Sequence, residues 1–147
     1  SASESLQVGY YRNYYSLTVS ANVFYNHSES DRFATLNAFD FNYGVNYGMP
    51  LVWGIDFYTT LKMYSRRGYS DDKYNTDQFI VNFNLGKDIF KGKARLKFEV
   101  FDLLNKMSYY SYNINAQMQQ ETYTNLLRRY AMVSLTYRFS QKKKHTK

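Results

Sequence analysis

The chain lacks the residues on which many enzymes and metalloproteins depend. It has no cysteine among its 147 residues, which excludes disulfides and thiolate chemistry. Its two histidines, His27 and His145, are too isolated in the sequence to indicate a metal site or a catalytic triad. No glycine-rich phosphate loop and no nucleophile motif is present. We therefore predict that the protein is not an enzyme and that it binds neither a metal nor a cofactor.

Long apolar runs are missing as well. No stretch of about 18 apolar residues occurs, so the sequence predicts no transmembrane helix. The chain starts with the residues SASE at 1–4, with neither an initiating methionine nor a secretory signal peptide. This start lies inside an ongoing sequence pattern. We therefore interpret the chain as a fragment, or as one half of a split chain, whose targeting signal lies elsewhere.

The residues that are abundant favour β-structure. Aromatic side chains make up 20% of the chain, with 17 tyrosines and 11 phenylalanines, whereas proline occurs once. Aromatic residues pack well in strands, and this composition argues against disorder. Alternation of apolar and polar residues predicts strands at 5–11, 14–26, 33–49, 53–65, 77–87, 93–101 and 131–140. Between the last two strands we expect a helical turn near Leu103-Leu104 and an extra strand segment near 109–114.

The last predicted strand shows the alternation most clearly. From Ala131 to Ser140, apolar residues alternate with mostly polar ones, so the two sets lie on opposite faces of the strand. An outer-membrane barrel needs an apolar face toward lipid and a polar face toward its lumen. The residues that we predict to face the lumen are Asn42, Lys62, Asn82, Asn84, Arg95, Lys97, Glu99, Ser134, Thr136 and Arg138.

Strand length and connection length favour a membrane barrel over a soluble fold. Several predicted strands approach or exceed the roughly 9–11 residues that span a bilayer. Short and long connections alternate, and aromatic residues cluster at the strand ends. We predict an all-β, antiparallel, up-and-down transmembrane β-barrel. Residues 1–140 would supply about seven or eight C-terminal strands of a larger barrel, followed by a basic tail at 141–147. The alternative is a soluble β-sandwich or small barrel with its apolar face inward.

Two segments carry a family resemblance. They are 95–105, which reads RLKFEVFDLLN, and 125–139, which reads NLLRRYAMVSLTYRF. They resemble the C-terminal end of TonB-dependent outer-membrane receptors, and they are most similar to the Bacteroidetes-type outer-membrane barrel family. The segment RRGY at 66–69 also fits a loop of that family. The tail after Phe139 departs from the pattern, because such barrels usually stop at this phenylalanine.

The resemblance implies a function and a set of partners. It implies a barrel of roughly 22 strands in the cell outer membrane, closed by an N-terminal plug. Such a barrel imports a large nutrient with energy supplied through TonB. The implied partners are the remaining barrel strands, the plug domain, TonB and a surface lipoprotein. The alternative within the same fold is a barrel that binds a partner without active import.

The charge distribution predicts contacts at the rim of the barrel. The net charge of +7 permits an anionic partner, and a soluble basic domain that binds nucleic acid is one alternative. Basic residues near the predicted outer loops instead favour outer-membrane lipid and lipopolysaccharide, with no nucleic acid, because guanidinium groups bind phosphate well. Solvated rim charge and aromatic packing within the loops are the alternative roles. The candidates for binding an extracellular ligand or lipopolysaccharide are Arg66, Arg67, Tyr69, Tyr109, Tyr110, Tyr112, Arg128 and Arg129.

Overall fold

The computed structural model describes residues 1–29, 35–107, 110–114, 119–124 and 127–139, which contain nine strands. Two 3-10 turns, Val52–Gly54 and Asp72–Tyr74, lie in the connections. Among the described residues, no helix is both long enough and apolar enough to cross a membrane. The strands are β1 (Ala2–Arg12), β2 (Tyr15–Ser28), β3 (Leu36–Leu51), β4 (Ile55–Arg67), β5 (Asp77–Ile89), β6 (Ala94–Phe101), β7 (Tyr110–Ile114), β8 (Gln119–Tyr123) and β9 (Tyr130–Tyr137).

Seven of these strands form one antiparallel sheet. Their order is β1-β2-β3-β4-β5-β6-β9, so each strand pairs with the strand that precedes it in the sheet and in the chain, apart from the excursion between β6 and β9. The structure thereby confirms the predicted all-β, antiparallel, up-and-down arrangement. The sheet is not closed: in the described part of the chain, β1 and β9 each pair on one side only.

The excursion between β6 and β9 differs from the expectation. The predicted extra strand segment exists as β7, but it pairs with β8 in a separate hairpin and not with the main sheet. Leu103 and Leu104 lie in a turn that the Asn105 N–H closes on the Asp102 carbonyl (2.8 Å), and not in a helical turn. The predicted basic tail at 141–147 lies outside the described residues.

The connections divide the sheet into two ends. The short connections 13–14, 52–54 and 90–93 lie at one end, which we call the turn end. The longer connections 29–35, 68–76 and 102–129 leave and rejoin the sheet at the other end, which we call the loop end. Outer-membrane barrels have short turns on the periplasmic side and longer loops outside. This pattern therefore assigns the turn end to the periplasm if the sheet is part of such a barrel.

The strand register separates apolar from polar side chains, because residues directly opposite each other in neighbouring strands share a face. One aliphatic row crosses five strands and consists of Val8, Val19, Val45, Leu61 and Val81. Shifted by one position along each strand, a row of mostly polar or small residues faces the opposite way: Gln7, Ser20, Gly44, Lys62 and Ile80. The aliphatic row is flanked by Tyr43 and Phe79 toward the loop end and by Tyr10, Tyr47 and Phe83 toward the turn end.

The apolar face is uncovered. The side chains of Val133 and Leu135 are 67% and 63% exposed. The rings of Phe83 and Phe98 meet edge to face at 6.2 Å, but they do so between neighbouring strands and not across a closed interior. A soluble β-sandwich would need a second layer over this face, and none of the described residues provides one. The face has the composition and the accessibility of a wall that meets lipid.

Neighbouring substitutions in β9 test which face meets lipid. Val133 and Met132 are both exposed, but they lie on opposite faces, and Met132 is opposite Glu99. We expect Val133→Arg to destabilise the intact protein by about 2–4 kcal/mol in a bilayer, because a charged side chain near the membrane midplane is costly. Met132→Arg should be tolerated. Unfolding in lipid vesicles, monitored by heat-modifiable gel mobility, measures the difference in unfolding free energy between the two variants. An equal loss of stability in both variants would contradict the assignment of faces.

Candidate functional site

The polar face of the sheet carries the residues that were predicted to face the lumen. The register places nine of them on one face: Asn42, Lys62, Asn82, Asn84, Arg95, Lys97, Glu99, Ser134 and Thr136. Arg138 follows the end of β9, where its backbone N–H donates to the Lys93 carbonyl (2.8 Å). The shared face is a property of the structure, whereas the role of this face as a lumen lining stays a prediction.

The polar face is concave toward the loop end. Residues of β1 to β5, among them Phe24, Asn42 and Tyr64, line an open cavity of about 580 Å³. A smaller cavity of about 220 Å³ lies beside Lys62 and shares Asn42 and Tyr64 with the first. The linings consist mainly of amide, hydroxyl and aromatic groups. A concave surface of this chemistry can hold water or a polar ligand.

An arginine connects three strands at the turn end of this face. Arg95 of β6 donates to Asp88 of β5 (3.1 Å) and to Asp56 of β4 (2.7 Å). Its side chain crosses Gly86, where an added Cβ would lie 2.6 Å from a guanidinium nitrogen. Gly86 therefore leaves the space that the arginine occupies. The two aspartates neutralise Arg95, so this part of the wall carries little free positive charge.

A second network ties the connection 68–76 to the sheet. Arg66 donates from Nε to Asp40 (3.0 Å) and from a terminal nitrogen to the Tyr69 hydroxyl (2.6 Å). The Tyr69 hydroxyl in turn donates to the Asp40 carboxylate (3.0 Å), and the Arg66 guanidinium lies 4.3 Å from the centroid of the Tyr69 ring. Burial is the main reason why the pKa of the Tyr69 phenol is raised above its ordinary value, and the nearby Asp40 carboxylate contributes. The phenol therefore stays protonated and keeps its bond to Asp40.

The connection 68–76 has its own small core. Tyr69, which is 5% exposed, and Tyr74 cluster with Leu36 and Ala38 of β3. At Gly68 the backbone has a φ of +84°, and an added Cβ would lie 2.2 Å from the backbone oxygen of the neighbouring strand β3. Glycine is therefore required for the close approach of this loop to the sheet. Tyr69 was a candidate for binding an extracellular ligand or lipopolysaccharide, and the structure places its ring inside the loop core.

The other basic loop candidates occupy different positions. Arg67 lies on the apolar face, opposite Phe39, and donates to both oxygens of Asp77 (2.8 and 2.7 Å). Arg128 and Arg129 are exposed just before β9. The structure therefore brings Arg66, Arg67 and Tyr69 to one end of β4 but separates them from this pair. Whether any of these residues binds lipopolysaccharide or another ligand stays a prediction.

The tyrosine candidates of the last excursion lie in or beside the hairpin. Tyr110 and Tyr112 belong to β7, where their backbones pair with Tyr123 and Glu121 of β8. Tyr109 lies outside the described residues. The hairpin is separate from the main sheet, so these tyrosines do not join the cluster around Tyr69 through strand pairing. Their role in binding an extracellular ligand or lipopolysaccharide stays a prediction.

Sequence reasoning missed the role of Asp102, which is the first residue of the sequence DLLN at 102–105. This residue is buried and has a φ of +46°. Its carboxylate accepts the backbone N–H groups of Lys106 (2.9 Å) and Met107 (3.0 Å), and its own N–H donates to the Asn82 side chain (2.8 Å). The motif is therefore the turn by which the chain leaves β6. The available signal was an aspartate at the end of a strand, since aspartate commonly bonds the backbone of a turn.

Comparison with known families agrees with this architecture. The family model described as "Outer membrane protein beta-barrel family" matches residues 4–137, which include almost all of the nine strands. No curated protein and no solved structure matches the chain significantly.

Two glycines provide a test of the loop core. We expect Gly68→Ala to loosen the connection 68–76, because the new methyl group meets the β3 backbone and the φ is unfavourable for alanine. Gly92→Ala is the matched control: its φ is +82°, but nothing lies within 4 Å of the added Cβ. Limited proteolysis of the intact protein should show faster cleavage within 68–76 for Gly68→Ala alone. Equal cleavage rates in both variants would show that the contact with β3 does not hold the loop.

Proposed function

Because the chain belongs to the outer membrane protein beta-barrel family, we propose that it is the C-terminal part of a TonB-dependent transporter in the cell outer membrane. In this proposal the intact protein imports a large nutrient. The seven-stranded sheet supplies part of the barrel wall and of the lumen lining, and the connections at the loop end supply part of the outer surface.

The observation that carries the proposal is the shape and chemistry of the open sheet. Its polar face is concave and its apolar face is uncovered, so the two faces suit a lumen and a lipid environment. The edges at β1 and β9 would leave unpaired backbone groups in a bilayer, which is prohibitively costly. Further strands must therefore complete the barrel. A barrel much larger than eight strands encloses a channel, and transporters of this kind fill it with a plug.

The sequence resemblance supports the finer assignment. The turn built by Asp102 belongs to the sequence DLLN at 102–105, and β9 ends within the sequence TYRF at 136–139. Both sequences resemble the corresponding parts of TonB-dependent receptors. We propose that the partners are outer-membrane lipid and lipopolysaccharide, the remaining strands and plug, TonB, and a surface lipoprotein. We propose no catalytic role and no nucleic-acid partner.

The second candidate function is a barrel that binds a surface partner without active import. The observation that favours it is the compact connection 68–76, in which Tyr69 and Tyr74 pack against β3 and Asn75 bonds the backbone of Tyr69. Such a preformed outer element could serve binding alone. The two candidates share the same wall, so only the plug and the coupling to TonB separate them.

Binding of TonB to the intact protein tests the proposal. We expect the purified periplasmic domain of TonB to bind the detergent-solubilised intact protein, because transport of this class draws its energy through that contact. A variant that lacks the segment preceding the plug should not bind, while it keeps the heat-modifiable mobility of a folded barrel. A correctly folded intact protein that neither contains a plug nor binds TonB would overturn the transport proposal and favour the binding barrel.

A further inference from the structure

Three cations of β4 and of the connection 68–76, at the loop end, are matched by nearby carboxylates. Arg66 pairs with Asp40 at 3.0 Å, Arg67 with Asp77 at 2.7 Å, and Lys73 with Asp71 at 3.5 Å. The three positive charges are therefore neutralised within the protein. An external phosphate would have to compete with a carboxylate that is already in place.

The cations of the turn end differ from these three. Its carboxylates Asp56 and Asp88 lie on the polar face, where both pair with Arg95. On the apolar face, Arg12 lies opposite Tyr15, and Lys87 lies opposite Ile55 and Leu96. Neither Arg12 nor Lys87 forms an ion pair within the part of the chain that the structure describes, and the same holds for Lys91 at the tip of the β5–β6 turn. The outward-facing rim at the turn end therefore carries positive charge that the described chain does not neutralise.

Exposed aromatic side chains lie between these cations. Trp53 and Phe90 are at the tips of two turns and are 81% and 69% exposed, and Tyr15 is also exposed. Trp53 has a φ of 60° and Phe90 a φ of 52°, and the left-handed region is unfavourable for bulky side chains. Asparagine or glycine would adopt these turns with less strain. Backbone strain that persists at exposed aromatic residues points to a role outside the fold itself.

We infer that this rim, the turn-end belt formed by Arg12, Tyr15, Trp53, Lys87, Phe90 and Lys91, binds the headgroups of anionic phospholipids in the leaflet on the turn side. The rings fit the level of the headgroups, where amphipathic aromatic residues concentrate, and the cations fit the lipid phosphates. The charge complementarity distinguishes this belt from a purely apolar girdle. The inference rests on the membrane location in the proposed function, but it does not depend on TonB or on transport.

Tryptophan fluorescence can report the lipid at the belt. Trp53 is the single tryptophan of this chain, and a Trp53→Phe variant supplies the background signal of the intact protein. In detergent micelles, we expect brominated phosphatidylglycerol to quench the Trp53 signal at lower concentration than brominated phosphatidylcholine does. Each belt cation should contribute up to roughly fivefold to this preference at low salt. High salt should reduce the preference, because exposed charges are screened.

Charge variants make the test specific. The triple variant Arg12→Gln, Lys87→Gln, Lys91→Gln should lose most of the preference and still be quenched by both lipids. Lys73→Gln at the loop end is the control, since Lys73 is exposed and already pairs with Asp71, and it should keep the preference of the unmodified protein. Equal quenching by the two lipids in the unmodified protein at low salt would overturn the inference. So would an unchanged preference in the triple variant.

Photocrosslinking in cells identifies the occupant. A photoreactive benzoylphenylalanine in place of Phe90 should attach to a phospholipid, which mass spectrometry of the adduct would show. A lipopolysaccharide adduct would place the turn end in the wrong leaflet, and a protein adduct would assign the belt to a periplasmic partner, so either result would overturn the inference. Loss of TonB binding with retained phospholipid adducts would reject the transport proposal alone. If the intact protein does not form a folded barrel in membranes, both the lipid-binding inference and the transport proposal are rejected.

Discussion

The structure depends on one constraint: the backbone N–H and C=O groups of each strand must bond to a neighbouring strand, because lipid offers them no hydrogen-bond partner. Antiparallel pairing satisfies this requirement across seven strands and at the same time forces side chains to alternate between two faces. The aliphatic row from Val8 to Val81 and the polar rows beside it are consequences of that pairing. The same constraint applies to the open edges at β1 and β9, since each needs a further strand before the sheet can reside in a bilayer.

The two ends of the sheet use charge in different ways. At the loop end, Asp40, Arg66 and Tyr69 form a half-buried network that fixes a long connection to the wall, and the nearby tyrosines give this connection a core. At the turn end the connections are too short to form a core, and their aromatic tips and cations are exposed. The loop end therefore has one connection that is fixed to the sheet, and the turn end has a charged aromatic rim suited to a membrane interface.

The sequence predicted the strands and their faces well, because both depend on a period of two that each strand carries by itself. Lys97 and Ser134, for example, were assigned to one face and lie directly opposite each other. Partners that meet through the tertiary register could not be predicted in this way. Arg95 bonds an aspartate 39 positions away, and the close approach of Gly68 to the backbone of β3 exists only in the folded sheet. The burial of Tyr69 against β3 depends on such contacts as well.

The most direct test of the account is the environment of two adjacent residues at the centre of β4. Leu61 belongs to the aliphatic row, and Lys62 faces the opposite way. Each position can carry a cysteine-linked nitroxide in a cysteine-free variant of the intact protein in lipid vesicles. Electron paramagnetic resonance then compares collisions with oxygen, which concentrates in lipid, and with a water-soluble nickel complex. We expect oxygen to dominate at position 61 and nickel at position 62. Nickel dominance at 61, or burial of that label from both reagents, would contradict the proposal that the apolar face meets lipid.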